Sequence, residues 1–193
     1  GVARETGEAA ARTDAGPWTQ KLLDVDARRQ ADIDAGKSFE EMSYGEQLVD
    51  LDRYAEKIEV PDPTYGPLGE ITINYNHPSY RRHGELVAEV SWGPKEPFGA
   101  GLFEKTPLQQ APMGERAGWA RAVLRKVKQV VDEMTAEGIT VVAEVQADRR
   151  SLIRLYENAG FIKVPPAAGG WGAEGSMWRE SMVEMVRRPV PAG

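Results

Sequence analysis

The chain has 193 residues and a formal net charge of −6. This length suits one domain with an appendage rather than two full domains, and an acidic balance argues against a nucleic-acid partner, because such proteins are usually basic. The absence of cysteine excludes disulfides, thiolate metal sites and a cysteine nucleophile. With only His77 and His83, no metal site is expected. No apolar run approaches a membrane span, so we expect a cytoplasmic protein, alone or within a larger assembly, with no membrane partner.

The first sixty residues are predicted to form a helical arm. Residues 1–16 are small and charged, and Pro17 suits a first helical turn. Ser-x-x-Glu capping boxes follow at Ser38 and Ser43. A helical stripe of apolar residues then runs up to two prolines, and it comprises Leu48, Leu51, Ala55 and Ile58. We expect residues 1–60 to be an arm that contacts other protein chains, and residues 61–193 to be the domain.

The middle of the chain is predicted to contain an antiparallel hairpin. A turn-rich linker over residues 61–69 precedes a strand over Glu70–Asn76, in which apolar and polar residues alternate. A second strand follows over Gly84–Trp92. Residues 93–113 are rich in glycine and proline and predict a long loop.

A helix, a buried strand and a second helix are predicted next, within residues 114–161. Apolar residues recur at helical spacing from Trp119 to Met134, and Gly138 suits the helix end. The strand Ile139–Val145 is apolar and β-branched. Asp148 is a plausible N-cap for the second helix, which ends at Gly160.

Two more strands complete the predicted sheet. Phe161 begins a short strand with Ile162 and Val164, and Trp178–Arg187 forms a last strand after a Gly/Pro loop. The fold class is therefore α/β or α+β: a mixed central sheet flanked by helices, preceded by the N-terminal helical arm.

Two motifs within residues 110–165 resemble the GNAT superfamily of N-acetyltransferases. The stretch Ser151–Phe161, SLIRLYENAGF, resembles the closing motif of that family, in which a helix carrying Leu-Tyr-Glu runs into Gly-Phe. The stretch Gly118–Leu124, GWARAVL, resembles its acyl-CoA loop, and one helix and one strand separate the two motifs, as in the family.

The resemblance implies an acetyltransferase-like fold and an acyl-CoA-dependent N-acyltransferase. Its cofactor would be acetyl-CoA, not covalently bound, and its acceptor an amine on a small molecule or a protein. The cofactor-binding residues implied are Arg116, Ala117, Gly118, Trp119, Ala120, Arg121 and Arg149. A glycine-bearing turn at the helix start would bring backbone N–H groups to a pyrophosphate, with Arg125 as a further phosphate partner. The alternative is a capped amphipathic helix with a solvated basic side.

The resemblance also places a catalytic tyrosine at Tyr156, where a phenol would protonate the departing thiolate. A base is needed as well, because an ammonium group must lose a proton before it attacks a thioester. Glu89 is the first candidate for this base, and Glu85 and Glu144 are two further candidates. The alternatives are a core tyrosine and solvent-facing carboxylates.

A non-catalytic function fits the sequence as an alternative. Glu115 stands where the acyl-CoA loop usually has Gln or Arg, and Arg149 and Leu152 stand where the closing motif has Asn and a small residue. No strand is predicted ahead of the first helices. A structural or interaction protein on an acetyltransferase-like scaffold, for instance a virion or assembly component, would show these departures and would bind no acetyl-CoA.

Overall fold

The computed structural model describes residues 15–36, 38–62, 66–76, 85–94, 113–164 and 182–190. Its helices are α1 (Pro17–Ala35), a short 3-10 helix (Phe39–Glu41), α2 (Tyr44–Tyr54), α3 (Met113–Ala136) and α4 (Arg150–Asn158). Its strands are β1 (Glu56–Asp62), β2 (Gly66–Tyr75), β3 (Val87–Pro94), β4 (Thr140–Gln146), β5 (Ile162–Val164) and β6 (Met182–Arg187). The predicted mixed sheet with flanking helices is confirmed.

The six strands form one sheet in the order β1-β2-β3-β4-β6-β5. Neighbouring strands are antiparallel except for β3 and β4, which are parallel. The helix α3 makes the crossover between these two strands, as a parallel pair requires. The predicted hairpin is confirmed by the antiparallel pairing of β2 and β3.

The prediction of helix up to Ile58 is wrong, because α2 ends at Tyr54 and Glu56 begins β1. Side chains in β1 alternate, with Lys57 and Glu59 exposed and Val60 buried. A period of two marks a half-buried strand, whereas the helical spacing of Ile58 from the residues before it was coincidental. The capping box at Ser43 is confirmed, since the Ser43 hydroxyl accepts the Glu46 N–H at 3.3 Å.

The turn-rich linker predicted over residues 61–69 is also wrong. Residues 66–69 belong to β2, and the ladder between β1 and β2 runs from Glu56 opposite Ile73 to Asp62 opposite Gly66. A shift in register between Val60 and Pro61 accommodates the proline, which has no N–H to give to the ladder. These residues therefore extend a hairpin.

The core lies on one face of the sheet, under the helices. Its sheet side chains include Ile71, Ile73, Ala88, Val90, Val141 and Ala143. Helix side chains that join them include Leu22, Val25, Tyr54, Val127, Val130, Met134, Ile153 and Tyr156. A small second cluster of Val87, Val142 and Val186 occupies the other face. The helices α1 and α2 contribute to the same core as the sheet. The boundary predicted at residue 60 lies within β1.

The first turn of α1 receives its cap from a distant part of the chain. The N-cap residue Gly16 has no side chain to offer, but the Glu137 carboxylate accepts the N–H groups of Trp18 (3.3 Å) and Thr19 (2.9 Å). A Cβ at position 16 would lie 2.3 Å from Cδ of Glu137, so glycine leaves the space that this carboxylate fills. An acidic group at a helix N-terminus also interacts favourably with the helix dipole.

Two glycines end the helices of the predicted helix–strand–helix segment. Gly138 and Gly160 both have φ of +92°, which confirms both predicted stops, because residues with a Cβ are strained there. Residues 1–14 of the segment 1–16, both histidines, most of the predicted loop 93–113, and residues 165–181 lie outside the described residues. At the ends of that loop, Gly93 and Pro94 belong to β3, and Met113 belongs to α3.

Candidate functional site

The parallel strands β3 and β4 part from each other halfway along their length. Their ladder covers three pairs, from Val87 opposite Thr140 to Glu89 opposite Val142. Beyond this point β3 stays paired with β2 as far as Pro94, and β4 stays paired with β6 as far as Gln146. Among the described residues, the facing edges beyond Glu89 and Val142 therefore lack a shared ladder. We call this opening the fork.

The fork lies at the carboxyl ends of the two parallel strands, where the chain also enters its helices. The end of α3 leads directly into the start of β4, so α3 runs back along the sheet and its first turn lies at the fork end. The helix α4 begins four residues after β4, at the same end. In open α/β sheets, ligands bind at this edge, in the crevice outside the carboxyl ends of the strands.

Glu89 is the last β3 residue paired with β4 and is partly buried. Burial and, to a smaller extent, the charge of Glu144 raise the pKa of its carboxyl to about 7. The two carboxylates share a face, since Glu89 lies opposite Val142 and Glu144 lies two residues further along β4. Glu89 therefore changes its charge near neutral pH, at the base of the fork.

Tyr156 approaches the fork from α4 and is 4% exposed. Its hydroxyl accepts the indole N–H of Trp92 at 2.9 Å, and its ring meets Phe161 edge-on at 5.2 Å between centroids. The pKa of Tyr156 is raised to about 12, chiefly by burial and in smaller part by the charge of Glu89, while the Trp92 hydrogen bond lowers the pKa. Tyr156 is therefore a protonated phenol at neutral pH, and its pKa depends on the charge of Glu89.

The two other carboxylates named as candidate bases differ from Glu89 in position. Glu85 precedes β3, at the end away from the fork, and lies 3.8 Å from Arg188. Glu144 lies on β4, two residues beyond Val142, the last β4 residue that pairs with β3. On the other side of β4, Glu144 lies opposite Glu184 of β6.

The glycine turn predicted at Gly118 is wrong, because α3 begins at Met113 and Gly118 is inside it. The residues between them, mostly glutamate, arginine and alanine, favour helix, and one glycine costs only about 1 kcal/mol relative to alanine. The first four N–H groups, which have no acceptor within the helix, accordingly belong to Met113–Arg116. The side chains of Arg116, Trp119 and their neighbours up to Ala120 lie outside the described ones.

The remaining arginines of the predicted cofactor set are exposed. Arg121 and Arg125 point out from α3, and Arg149 is the N-cap of α4. The N-cap predicted at Asp148 is thus displaced by one residue, and the arginine side chain makes no cap hydrogen bond. Leu152, a departure from the family pattern, packs against the core.

Trp92 is the site residue that sequence reasoning missed. Its partner Tyr156 is 64 residues away, so no local pattern reveals the contact. Within the described ranges, no group of three or more His, Cys, Asp or Glu side chains is arranged to hold a metal ion. In the same ranges, no helix is long and apolar enough to cross a membrane.

No protein-family model matches the sequence, and a search of curated proteins finds no match. Among solved structures, the chain is similar to the spermidine N-acetyltransferase of Vibrio cholerae in its dodecameric intermediate state. The TM-score is 0.44 at 16% identity, over 87% of this chain and 90% of that chain.

It is also similar to the ribosomal-protein-S5-alanine acetyltransferase of Vibrio fischeri. The TM-score is 0.42 at 15% identity, over 74% of this chain and 67% of that chain. Both of these proteins are acetyltransferases by name. At this identity the likeness concerns the fold alone.

Proposed function

We propose that the chain is an acyl-CoA-dependent N-acyltransferase whose reaction takes place at the fork. The observation that carries the proposal is that two ionisable side chains, Glu89 and Tyr156, lie at the fork. Glu89, on the β3 side, has a pKa near 7, and Tyr156, on the α4 side, has a pKa near 12. A base that is active near neutral pH and an acid that stays protonated are what amine acylation by a thioester requires.

The position of Glu89 supports a role as general base. Because Glu89 lies opposite Val142, it projects from the face of the small cluster, away from the main core. A carboxylate there accepts a proton from an acceptor ammonium group that enters on this face. Keeping a carboxylate where burial disfavours its charge costs stability, and perturbed groups of this kind concentrate at functional sites.

The position of Tyr156 supports a role as general acid. Tyr156 and Trp92 both pack with the main core, so the phenol reaches the opening from the side opposite to Glu89. In this arrangement the amine loses its proton on one side of the fork, and the leaving thiolate gains a proton on the other. A phenol that remains protonated at pH 7 can supply this second proton.

The fork also fits the shape and polarity of acetyl-CoA, which would supply the acetyl group as an activated thioester. A strand edge without a neighbouring strand offers N–H and C=O groups to an extended, amide-bearing ligand. The first turn of α3 offers N–H groups at the same end of the sheet, where a pyrophosphate is favoured. We assign Arg116, Arg121 and Arg149 as candidate phosphate partners, together with the backbone of residues 113–120.

Binding is tested by isothermal titration of acetyl-CoA and CoA into the purified chain. We expect micromolar affinity for both ligands, because both carry the diphosphate and the amide-bearing arm. Gly118→Glu adds a carboxylate near the start of α3 and is expected to abolish binding, whereas Glu59→Gln, on the exposed edge strand β1, leaves it intact. No heat and no thermal shift with millimolar acetyl-CoA would overturn the proposal.

Chemistry is tested by thiol release from acetyl-CoA across a panel of primary amines. Glu89→Gln removes the base and Tyr156→Phe removes the acid, and each is expected to lower kcat by about 10²-fold or more. The control is Glu157→Gln, an exposed carboxylate next to Tyr156, which should retain full activity. Wild-type kcat/KM should rise with pH through an apparent pKa near 7, since Glu89 acts only when ionised.

One observation favours the non-catalytic alternative. Near the start of α2, Tyr44, Leu48 and Val49 are 66%, 46% and 63% exposed. Large apolar side chains grouped on one helix are common where another protein docks. A protein–protein interaction function predicts that wild-type chain gives no heat with acetyl-CoA, and that Glu89→Gln and Tyr156→Phe change only stability.

A further inference from the structure

We propose that Trp92 is the positioning residue of the fork, whose indole N–H fixes the Tyr156 hydroxyl and directs the phenolic proton into the opening. This inference rests on the proposed function for its catalytic meaning. The contact between Trp92 and Tyr156 does not depend on that function and follows from the arrangement of β3, β4 and α4.

The contact spans the fork. Trp92 lies on β3 three residues beyond Glu89, where the ladder to β4 has ended. Tyr156 belongs to α4, the helix that follows β4. The hydrogen bond from Trp92 Nε1 to Tyr156 Oη, at 2.9 Å, therefore links the two arms of the opening. Past the end of the β3–β4 ladder, this side-chain contact holds the phenol at a set distance from β3.

The direction of the hydrogen bond decides where the phenolic proton goes. An indole N–H only donates, so the Tyr156 oxygen is the acceptor. The N–H nitrogen of Trp92 lies 2.9 Å from the Tyr156 oxygen, so the phenolic O–H cannot point toward the indole without bringing two hydrogens together. The proton is thereby left on the other side, away from the indole. One tryptophan thus specifies both the position of the acid and the direction in which it donates.

The same hydrogen bond assists Tyr156 after it has given up its proton. A donor held at 2.9 Å stabilises the phenolate more than the phenol, because hydrogen bonds to ionised oxygen are stronger. Phe161 packs against the Tyr156 ring in an edge-on arrangement, which limits rotation of the ring. Replacing Trp92 by phenylalanine keeps an aromatic ring but removes the N–H, which makes Trp92→Phe the appropriate variant.

The contact is tested without any substrate by following indole N–H signals in NMR spectra of the nitrogen-15-labelled chain. Trp92 is assigned from the signal that Trp92→Phe lacks. In Tyr156→Phe we expect the Trp92 proton to move upfield and to exchange with solvent about 10-fold faster. Trp18 is the internal control, since its indole N–H donates to Glu133 at 3.0 Å and should not change. An unchanged Trp92 signal would overturn the inference.

The catalytic meaning is tested by a double-mutant cycle with acetyl-CoA and the best amine of the panel. Trp92→Phe should lower kcat about 10-fold, with the KM for acetyl-CoA changed less than about 3-fold. In the Tyr156→Phe background the same change should cost almost nothing, because the group it positions is gone. An equal loss in both backgrounds would show a merely structural role and overturn the inference. Trp18→Phe should leave kcat unchanged.

The two proposals fail in different ways. If acetyl-CoA binds and is consumed but the cycle is additive, or the Trp92 signal does not respond, the role of Trp92 is wrong and the proposed function stands. If the Trp92 signal responds as expected but acetyl-CoA neither binds nor reacts, the contact is real. In that case the proposed function is wrong, and the catalytic role of Trp92 with it.

Discussion

Glu89 illustrates how a single side chain can couple the stability of this protein to its chemistry. Its ordinary pKa is 4.5, and burial together with Glu144 raises the pKa to about 7 in the folded chain. Between these two values the folded state holds a proton that the unfolded state has lost. Stability contributed by this group is therefore present at low pH and is lost as the pH rises through 7.

We predict that Glu89→Gln stabilises the chain at pH 8 and has little effect at pH 4. Glutamine has nearly the same shape without the buried charge, so the gain at pH 8 should be on the order of 1–3 kcal/mol. The measurement is the free energy of unfolding in urea at both pH values, with Glu59→Gln as an exposed control. A loss of stability at pH 8 would show that the Glu89 charge is stabilised in the fold, contrary to its raised pKa.

At the scale of single elements, sequence patterns predicted most of what the structure contains. The helix from Trp119, the strand Ile139–Val145 and the glycine stops were readable because apolar spacing and glycine conformation are local properties. The strand β1 could not be predicted from the sequence, because Ile58 fits the apolar pattern of a helix and that of a strand equally well. Only pairing with β2, in which Ile58 lies opposite Ile71, decides between them.

The candidate site was predictable only in part, because motifs are visible in the sequence whereas contacts between distant residues are not. Tyr156 and Glu89 could be named from a motif and from the need for a base, yet their proximity depends on how β3 and β4 part. The start of α3 was misplaced because Gly118 looked like a turn, whereas helix-forming neighbours carry the helix through it. Trp92 could not be found, since its role exists only in the contact with Tyr156.

The cap of α1 provides a prediction at the element scale. Glu137→Ala removes the acceptor for the N–H groups of Trp18 and Thr19, and should cost about 1–2 kcal/mol. Gly16→Ala should cost a similar amount, because its Cβ takes the place of the carboxylate. The two changes together should cost little more than either alone. Urea unfolding measures all three, and Glu157→Ala, which should change stability by less than about 0.5 kcal/mol, is the exposed control.

Additive losses in Gly16→Ala and Glu137→Ala would contradict a shared cap. Hydrogen exchange of the Trp18 and Thr19 amides gives a second readout, because both should exchange faster in either variant. Amides in the middle of α1 should be affected much less.

Considered as a whole, the molecule has one main core that its N-terminal helices help to form. Leu22 of α1 is fully buried with side chains from both halves of the sheet. A free-standing arm would instead bury its apolar residues against another chain. The helices therefore belong to the unit that positions the fork.

We predict that Leu22→Ala destabilises the whole chain by about 2–5 kcal/mol, as large-to-small changes in cores do. Hydrogen exchange of β4 amides such as Val141 and Ala143 should accelerate together with that of α1, since one cooperative unit opens as a whole. Leu48→Ala is the matched control, because Leu48 is 46% exposed and should change stability little. Unchanged exchange in β4 would favour an independent arm.

The carboxylate that caps α1 also bears on the order in which the chain becomes structured during synthesis. Glu137 follows Trp18 by 119 residues, so the ribosome delivers α1 long before the group that completes its first turn. Most of the stability of a helix in a protein comes from tertiary packing, so the nascent form of α1 would fray at Pro17 until α3 has emerged and docked. The helix α1, although synthesised before α3, is then completed only after α3 has docked.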